Sequence, residues 1–190
     1  MAKKLFSYDD AYVIPHGDVI SVREELKADI SAREKLLDAV MGGDRKRKSS
    51  EKIRQGRVPA QGFAFSAINS HNILIGTVRL WDIAAGQKQG QDMSALLLGP
   101  LAIHHSYKGR GIGSQLMRHA ILKAKEQNYG AILLVGDPSY YERFGFFADK
   151  TQNLIMPGPY GKHRLLALVL QDGYLDGAVG LIKPTGKTKL

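Results

Sequence analysis

The chain has 190 residues, 44% of them hydrophobic and 24% charged, which suits one soluble α/β domain with a substantial core. It contains no cysteine, so disulfides, a thiolate nucleophile and cysteine-ligated metal sites are excluded. The formal net charge of +9 favours polyanionic partners such as nucleic acids, acidic membranes and phosphorylated cofactors, but it does not choose among them.

The N-terminal sequence gives no sign of secretion or membrane insertion. Residues 1–15 include two lysines but lack the apolar h-region of a signal peptide. No apolar run approaches the ~18 residues that a membrane-spanning helix requires. We therefore expect a cytoplasmic protein.

The first part of the chain predicts an extension, a strand and a helix. Residues 1–18 show no clear period and form the predicted N-terminal extension. Residues 19–23 are rich in β-formers and predict the first strand. Asp29 or Ser31 can cap the following helix, which should stop at the two glycines 42–43.

A strongly basic run follows at residues 44–57. It contains seven lysines and arginines, which would suit a nucleic-acid patch or a collar around an acidic substrate or cofactor. The run has no interleaved aromatic residues on which bases could stack. A solvated loop with a short helix is therefore the preferred interpretation, and we expect no nucleic-acid partner.

Three strands with short connections are predicted next. Residues 62–68 and 73–83 have strand patterns, and residues 69–72 between them have the composition of a hairpin turn. Residues 86–92 are predicted to be a polar loop. Residues 96–103 are almost wholly apolar and too short for a buried helix, so they predict a buried third strand. The three strands should form an antiparallel meander.

A glycine-rich turn follows the third strand and opens an amphipathic helix. Three glycines alternate within residues 108–113, and from Ile112 to Gln127 the apolar residues repeat with helical spacing. Glycines allow a ligand close to the backbone, and the free N–H groups of a helix N-terminus favour an anion. Residues 108–114 should therefore hold a phosphate-bearing ligand.

The turn does not match the two most familiar phosphate-binding motifs. It is not a P-loop, because no Gly-Lys-Ser/Thr sequence follows it. It is not a dinucleotide fingerprint either. Gly111 and Gly113 could begin that pattern, but Leu116 stands where its third glycine should be.

The segment after the helix predicts a parallel strand and a short helix. Residues 131–135 form a continuous apolar run, so the strand–helix–strand order implies a right-handed crossover and a parallel strand pair. Ligands of open α/β sheets bind at the carboxyl ends of such strands. Ser139 can cap a short helix over residues 140–144, which Gly145 should end.

The C-terminal part predicts one more strand and a tail. Residues 165–170 form a buried strand, and the sequence from Pro184 is polar and basic, so the tail 184–190 should be loose. Together with the N-terminal extension, this leaves a single domain over residues 19–183.

Three segments carry a specific family resemblance: residues 101–103 (Leu-Ala-Ile), residues 108–113 and residues 141–146 (Tyr-Glu-Arg-Phe-Gly-Phe). Together they resemble the GNAT superfamily of acyl-CoA-dependent N-acetyltransferases, whose order of elements matches over residues 19–147. The family turn is Gln/Arg-x-x-Gly-x-Gly/Ala, and Lys108 at its first position is a mild departure. The resemblance implies an α/β fold of the α+β type, with a mixed, mostly antiparallel central sheet, a splayed parallel strand pair and flanking helices.

The resemblance also implies where acetyl-CoA, the expected co-substrate, would bind. The backbone of residues 101–103 would pair with the pantetheine arm, and the glycine turn would wrap the pyrophosphate. Pro100 agrees with a local break in strand pairing, because it lacks an N–H group. The implied cofactor-binding residues are Leu101, Ala102, Ile103, Lys108, Gly109, Arg110, Gly111, Ile112, Gly113 and Ser114. No metal ion is expected, since His104 and His105 have no matching ligand set.

The catalytic assignment is also implied by the resemblance. Tyr141 lies four residues before Gly145, where the family has its general acid, and a phenol with a pKa of about 10 can protonate the departing thiolate. Tyr140 is its rival, and a packing role for Tyr141 is the alternative. A backbone N–H group of residues 101–103 would stabilise the oxyanion. The general base stays open among Asp82, Asp137, His104 and His105.

The leading hypothesis is an N-acetyltransferase that moves an acetyl group from acetyl-CoA directly to a primary amine of a small molecule or protein. The absence of cysteine agrees with transfer without a covalent intermediate. The alternative is an acyl-CoA-binding regulatory module with little or no turnover. Residues 29–60 and 84–94, where acceptor residues of the superfamily lie, match no acceptor signature. The identity of the acceptor therefore stays open, and so does the question of whether the protein forms a homodimer.

Overall fold

A sheet of nine strands forms the centre of the protein in the computed structural model, which describes residues 12–13 and 19–189. Four α-helices flank it within these ranges. The strands are β1 (Tyr12–Val13), β2 (Val19–Glu24), β3 (Ala64–Ile68), β4 (Leu74–Lys88), β5 (Gln91–Ile103), β6 (Ala131–Val135), β7 (Leu154–Ile155), β8 (Leu165–Val169) and β9 (Val179–Pro184). The helices are α1 (Ile30–Met41), α2 (Ser49–Arg54), α3 (Ile112–Glu126) and α4 (Pro138–Tyr141).

The predicted antiparallel meander is confirmed as β3, β4 and β5. The predicted polar loop over residues 86–92 is wrong, because β4 and β5 continue through it as paired strands. They are joined at Gln89 and Gly90, whose φ angles of 52° and 76° suit a tight hairpin turn. The polar composition there reflects the exposed end of a long hairpin, not a loop.

The parallel strand pair is present and splays apart. Strand β5 pairs with β6 only at Leu96–Ile132 and Leu97–Leu133, after which β5 stays with β4 and β6 stays with β8. The β4–β5 register shifts where Gly99 and Pro100 lie, so the predicted break at Pro100 is confirmed. The predicted fold class, a mostly antiparallel mixed sheet with a splayed parallel pair and flanking helices, is therefore confirmed.

Alternate side chains of the central strands pack on opposite faces of the sheet. Leu96 and Leu98 belong to the core beneath α3, whereas Ala95 and Leu97 belong to the core on the other face. The predicted helix after the glycine turn is confirmed as α3. Its buried positions are those of the predicted apolar face: Ile112, Leu116, Met117, Ala120 and Ala124. This packing fixes the N-terminus of α3 beside the end of β5.

Helix α1 is confirmed, but its predicted cap is wrong. Asp29 stands at the N-cap position without a side-chain capping bond. Its carboxylate instead accepts hydrogen bonds from the Arg23 guanidinium at 2.6 and 3.0 Å and from the Leu26 N–H group at 2.8 Å. The bond from Arg23 is the main reason that the pKa of Asp29 falls to about 2.

The predicted loose tail is also wrong. Strand β9 pairs with β4, and beyond it the Val58 N–H group donates to the Lys187 carbonyl at 3.0 Å. The Lys189 N–H group donates to the Gly56 carbonyl at 2.9 Å. The tail is therefore hydrogen-bonded to the segment that follows α2.

Only part of the predicted N-terminal extension can be described. Strand β1 pairs antiparallel with β2, and the rest of residues 1–18 lies outside the described ranges. Within the described ranges, no helix is both long enough and apolar enough to cross a membrane.

Candidate active site

A cavity of about 460 Å³ lies at the end of β5, beside the N-terminus of α3. Nine of the ten predicted cofactor-binding residues line it, and Arg110 does not. The lining residues are Val40, Leu101, Ala102, Ile103, Tyr107, Lys108, Gly109, Gly111, Ile112, Gly113, Ser114, Tyr140 and Arg143. Strand splaying and the glycine turn therefore bring the predicted residues to one place.

The glycine turn leaves the start of α3 free to meet a ligand. Gly109 and Gly111 have φ angles of 77° and 78°, which other residues adopt only at a cost. Hydrogen bonding within the helix begins where the Gln115 N–H group donates to the Gly111 carbonyl at 3.1 Å. The three preceding N–H groups have no carbonyl partner within the helix, and an anion is favoured there.

Gly113 is needed for the close approach of Tyr140. A Cβ atom at Gly113 would lie 2.7 Å from the Tyr140 hydroxyl oxygen and 3.7 Å from Cγ1 of Ile103. The Tyr140 side chain also forms a hydrogen bond with Ser114, while burial raises the pKa of its hydroxyl. Tyr140 thus connects the short helix α4 to the first turn of α3.

Tyr141 lies next to Tyr140 but does not line the cavity. The two rings are 4.9 Å apart between centroids, in an edge-on arrangement. The ring of Tyr141 packs over Gly136, where a Cβ atom would come within 2.3 Å of its Cε2. Burial is the main cause that raises the pKa of the Tyr141 hydroxyl to about 12.

The segment that carries both tyrosines is held by a cap that differs from the prediction. Asp137, and not Ser139, is the N-cap residue of α4, because its Oδ1 accepts a hydrogen bond from the Ser139 N–H group at 3.0 Å. Helix α4 continues into a 3-10 turn that ends at Gly145, as predicted, with a φ of 87°.

Positive charge lies on and around the cavity. Lys108 and Arg143 both line it, and of the two only Lys108 was among the predicted site residues. The Arg143 guanidinium carbon lies 4.8 Å from the centroid of the Tyr140 ring, a cation–π geometry. The Arg110 guanidinium instead covers the Tyr107 ring at 5.1 Å. The only available signal for Arg143 was its place within residues 141–146.

A second cavity, of about 560 Å³, is formed by α1, α2 and the middle of the β4–β5 hairpin. Pro100 lines it, and the next residue, Leu101, lines the first cavity, so the two cavities flank the same point of β5. The remaining lining residues are Ile30, Arg33, Glu34, Leu37, Met41, Arg45, Lys46, Glu51, Arg54, Gln55, Gly56, Arg79, Trp81 and Lys189.

The basic run 44–57 matches the predicted solvated loop with a short helix only in part. The short helix is present as α2. Arg47 is 86% exposed, as that interpretation requires. Arg45, however, is largely buried and binds Glu34 at 2.5 Å, and the Arg54 side chain is only 9% exposed. Burial of these two arginines could not be recognised from a run of charged residues.

The four candidate general bases have other contacts. Asp82 accepts a hydrogen bond from the Tyr129 hydroxyl at 2.8 Å, and Asp137 caps α4. His104 accepts a hydrogen bond from the Ser106 N–H group, and the His105 ring lies 4.3 Å from that of His104. None of the four lines either cavity in the described part of the chain. Glu34 and Glu51 do line the second cavity, and neither was among the predicted site residues.

The described residues contain no cluster of three or more histidine, aspartate and glutamate side chains that could hold a metal ion.

Comparison with known proteins agrees with this geometry. The family model described as an acetyltransferase (GNAT) domain matches residues 61–147. YhbS of Escherichia coli (strain K12), an uncharacterized N-acetyltransferase, is 26% identical over 162 residues, which cover 85% of this chain and 94% of YhbS.

Two solved structures are similar in fold. The structure of Escherichia coli YhbS in complex with CoA has a TM-score of 0.72 and 25% identity, over 94% of this chain and 93% of that one. A GNAT family acetyltransferase from Brucella melitensis in complex with acetyl-CoA has a TM-score of 0.59 and 19% identity, over 90% and 95% of the two chains, and shows the fold alone. The family model over residues 61–147, the relative and the solved structures therefore agree in one respect: the chain is similar to GNAT N-acetyltransferases in sequence and in fold.

Proposed function

We propose that the protein transfers an acetyl group from acetyl-CoA directly to a primary amine. The observation that carries the proposal is the first cavity, where the splayed end of β5 meets the glycine turn and the start of α3. The complexes of YhbS with CoA and of the Brucella protein with acetyl-CoA support the choice of cofactor.

In this proposal the turn and the strand bind different parts of the cofactor. The N–H groups of residues 112–114 and the cation of Lys108 receive the pyrophosphate, because a helix N-terminus and an ammonium group both favour an anion. The free edge of residues 101–103, where β5 has left β6, pairs with the amide groups of the pantetheine arm. Arg143, on the same cavity, adds a further positive charge.

The chemistry is a single displacement at the thioester. The neutral amine attacks the carbonyl carbon, and a backbone N–H group of residues 101–103 stabilises the developing oxyanion. Collapse of the tetrahedral intermediate breaks the carbon–sulfur bond and leaves the coenzyme A thiolate. Tyr141 donates its proton to that sulfur, since a hydroxyl with a pKa of about 12 keeps its proton at neutral pH. The attacking nitrogen, which became positively charged on attack, loses its extra proton to water, and the Tyr141 phenolate takes a proton back from water, so that the amide and the free thiol are the products.

The amine must lose a proton before it attacks, and the second cavity offers two carboxylates. Desolvation raises the pKa of Glu34, but hydrogen bonds from Arg33 and Arg45 outweigh it and hold that pKa at about 2. Glu34 is therefore a poor base. Glu51, or a water molecule beside it, is the better candidate to accept the proton.

The test is free-thiol release from acetyl-CoA with a panel of primary amines. The proposal predicts amine-dependent release together with acetylated product. Tight binding of acetyl-CoA with no transfer to any amine would contradict it, and would favour an acyl-CoA-binding module with little turnover.

A further inference from the structure

The second cavity carries an excess of positive charge. Six cationic side chains line it, against the two carboxylates of Glu34 and Glu51: Arg33, Arg45, Lys46, Arg54, Arg79 and Lys189. Its volume of about 560 Å³ is in the range of small-molecule sites. Since Pro100 lines this cavity and Leu101 lines the other, a molecule bound here lies next to the proposed thioester position.

All four arginines of the cavity have a carboxylate partner, and three of them donate at least two hydrogen bonds to carboxylates. Arg33 and Arg79 both bind Glu25, whose side chain is 6% exposed. Arg45 binds Glu34 at 2.5 Å and Asp38 at 2.7 Å. These pairs account for the placement of the three guanidinium groups, and they do not require a ligand.

Arg54 is different, because it is buried and incompletely satisfied. Its side chain is 91% buried, and its Nη2 atom contacts Glu51 at 3.1 Å and Ser50 at 3.2 Å. Its Nε atom is buried without a hydrogen-bond partner among the described residues. A buried donor without an acceptor costs free energy, so the protein neighbours of Arg54 leave part of the hydrogen-bonding capacity of its guanidinium unused.

The surroundings of Arg54 favour a negatively charged ligand. Burial lowers the pKa of its guanidinium, Glu51 offsets part of that effect, and repulsion from Arg45 and Arg79 adds to it. One terminal nitrogen, Nη1, lies 3.6 Å from the position that a Cβ atom would take at Gly99, at the point where β5 leaves β6. An oxyanion bound there would relieve the repulsion and would lie beside the splayed strands.

We infer that the acetyl acceptor is a small primary amine that also carries an oxyanion group, a carboxylate or a phosphate, which Arg54 binds in the second cavity. The inference rests on the proposed function and adds the substrate class. A guanidinium suits this role because its planar set of donors matches both kinds of oxyanion.

The experiment compares matched pairs of amines in acetyl transfer. β-Alanine is paired with β-alanine amide, and phosphoethanolamine with ethanolamine, so that each pair differs in its anionic group. We expect the anionic member of one pair to have a kcat/KM higher by about 10- to 100-fold, the range of a hydrogen bond to a charged group. The pair that shows the preference identifies the oxyanion as carboxylate or phosphate.

Variants of Arg54 then test whether this residue causes the preference for the anionic amine. Arg54→Gln should bring the ratio within the preferred pair close to one, and Arg54→Lys should keep part of it. Arg47→Gln is the matched control, because it removes a cation from the same basic run at a side chain that is 86% exposed and outside the cavity. It should leave the ratio unchanged.

The outcomes separate this inference from the proposed function. Efficient transfer to neutral amines with no preference in either pair, or a preference that survives in a folded Arg54→Gln variant, would overturn the inference alone. No transfer to any amine would overturn the proposed function and the substrate class with it. If Arg54→Gln does not fold, inhibition of the wild-type protein decides: glutarate should compete with the amine and glutaramide should not, and equal inhibition by both would overturn the inference.

Discussion

Removal of the Tyr141 hydroxyl should slow acetyl transfer without weakening the binding of acetyl-CoA. The Tyr141 ring packs over Gly136 and beside Phe146, at 6.2 Å between centroids, and lies outside the lining of the first cavity. Tyr141→Phe keeps that packing and removes only the proposed proton donor. Tyr140→Phe is the matched control, because it removes a hydroxyl that lies at the first turn of α3 and bonds to Ser114.

The expected loss of kcat in Tyr141→Phe follows from the chemistry of the leaving group. General acid catalysis typically raises the reaction rate by about 100- to 10,000-fold. A thiol with a pKa of about 8.5 already leaves readily as the thiolate, so we expect the smallest rate gain of that range. We predict that Tyr141→Phe lowers kcat by about 100-fold, equivalent to about 2.7 kcal/mol on the barrier. Tyr140→Phe should instead raise the dissociation constant of acetyl-CoA and change kcat much less.

The pH profile gives an independent check on Tyr141. Its pKa of about 12 means that the proton donor is still present at pH 10. The rate should therefore rise with pH as the amine deprotonates, and should not fall again up to pH 10. Stopped-flow thiol release and calorimetric titration of acetyl-CoA measure the two effects separately. Wild-type kcat in Tyr141→Phe, or a larger loss of kcat in Tyr140→Phe, would refute the assignment.

Three further predictions concern the scaffold of the site. Gly111→Ala places a side chain at a φ of 78° with open space around its Cβ, so it should destabilise the fold by about 1–2 kcal/mol in urea unfolding and weaken acetyl-CoA binding. Gly76→Ala would put a Cβ atom 2.9 Å from Ile103 and 3.1 Å from Leu116, and overpacking should cost about 1–3 kcal/mol and lower the melting temperature. The pKa of Tyr141 is raised from 10 to about 12 in the folded state, so its stabilising contribution is complete below pH 10 and is lost as the pH rises towards 12. Tyr141→Phe should therefore lose less stability than the wild-type protein over that interval, as measured by denaturant unfolding. Equal losses would contradict the burial argument.

The sequence predicted the elements whose signal is local and periodic. Helix α3 was predicted because Ile112, Leu116, Ala120 and Ala124 recur on one face, and all four are buried. The polar residues at the β4–β5 turn misled the prediction, because the pairing that makes them a strand comes from a long hairpin and is not visible in composition. The capping bond predicted for α1 is absent because the Asp29 carboxylate accepts a hydrogen bond from Arg23, on a neighbouring strand, instead.

The same contrast between local and long-range contacts separates the two cavities. The first could be predicted because the glycine turn and the strand before it are adjacent in sequence. The second is assembled from α1, α2, the β4–β5 hairpin and the C-terminal tail, which are distant in sequence, and Arg54 lines it with a side chain that is only 9% exposed. In the sequence Arg54 is one of seven cations in a basic run, and nothing distinguishes it from the exposed Arg47.

Direct acetyl transfer is the central claim, and a rapid-quench reaction with acetyl-CoA and an acceptor amine tests it most directly. Mass spectrometry would follow the amine and the intact protein, while a thiol reagent follows coenzyme A. Direct transfer predicts one acetylated amine for each thiol released and a protein whose mass does not change during turnover. Thiol release without acetylated amine, or a protein that gains an acetyl group as an intermediate, would contradict it.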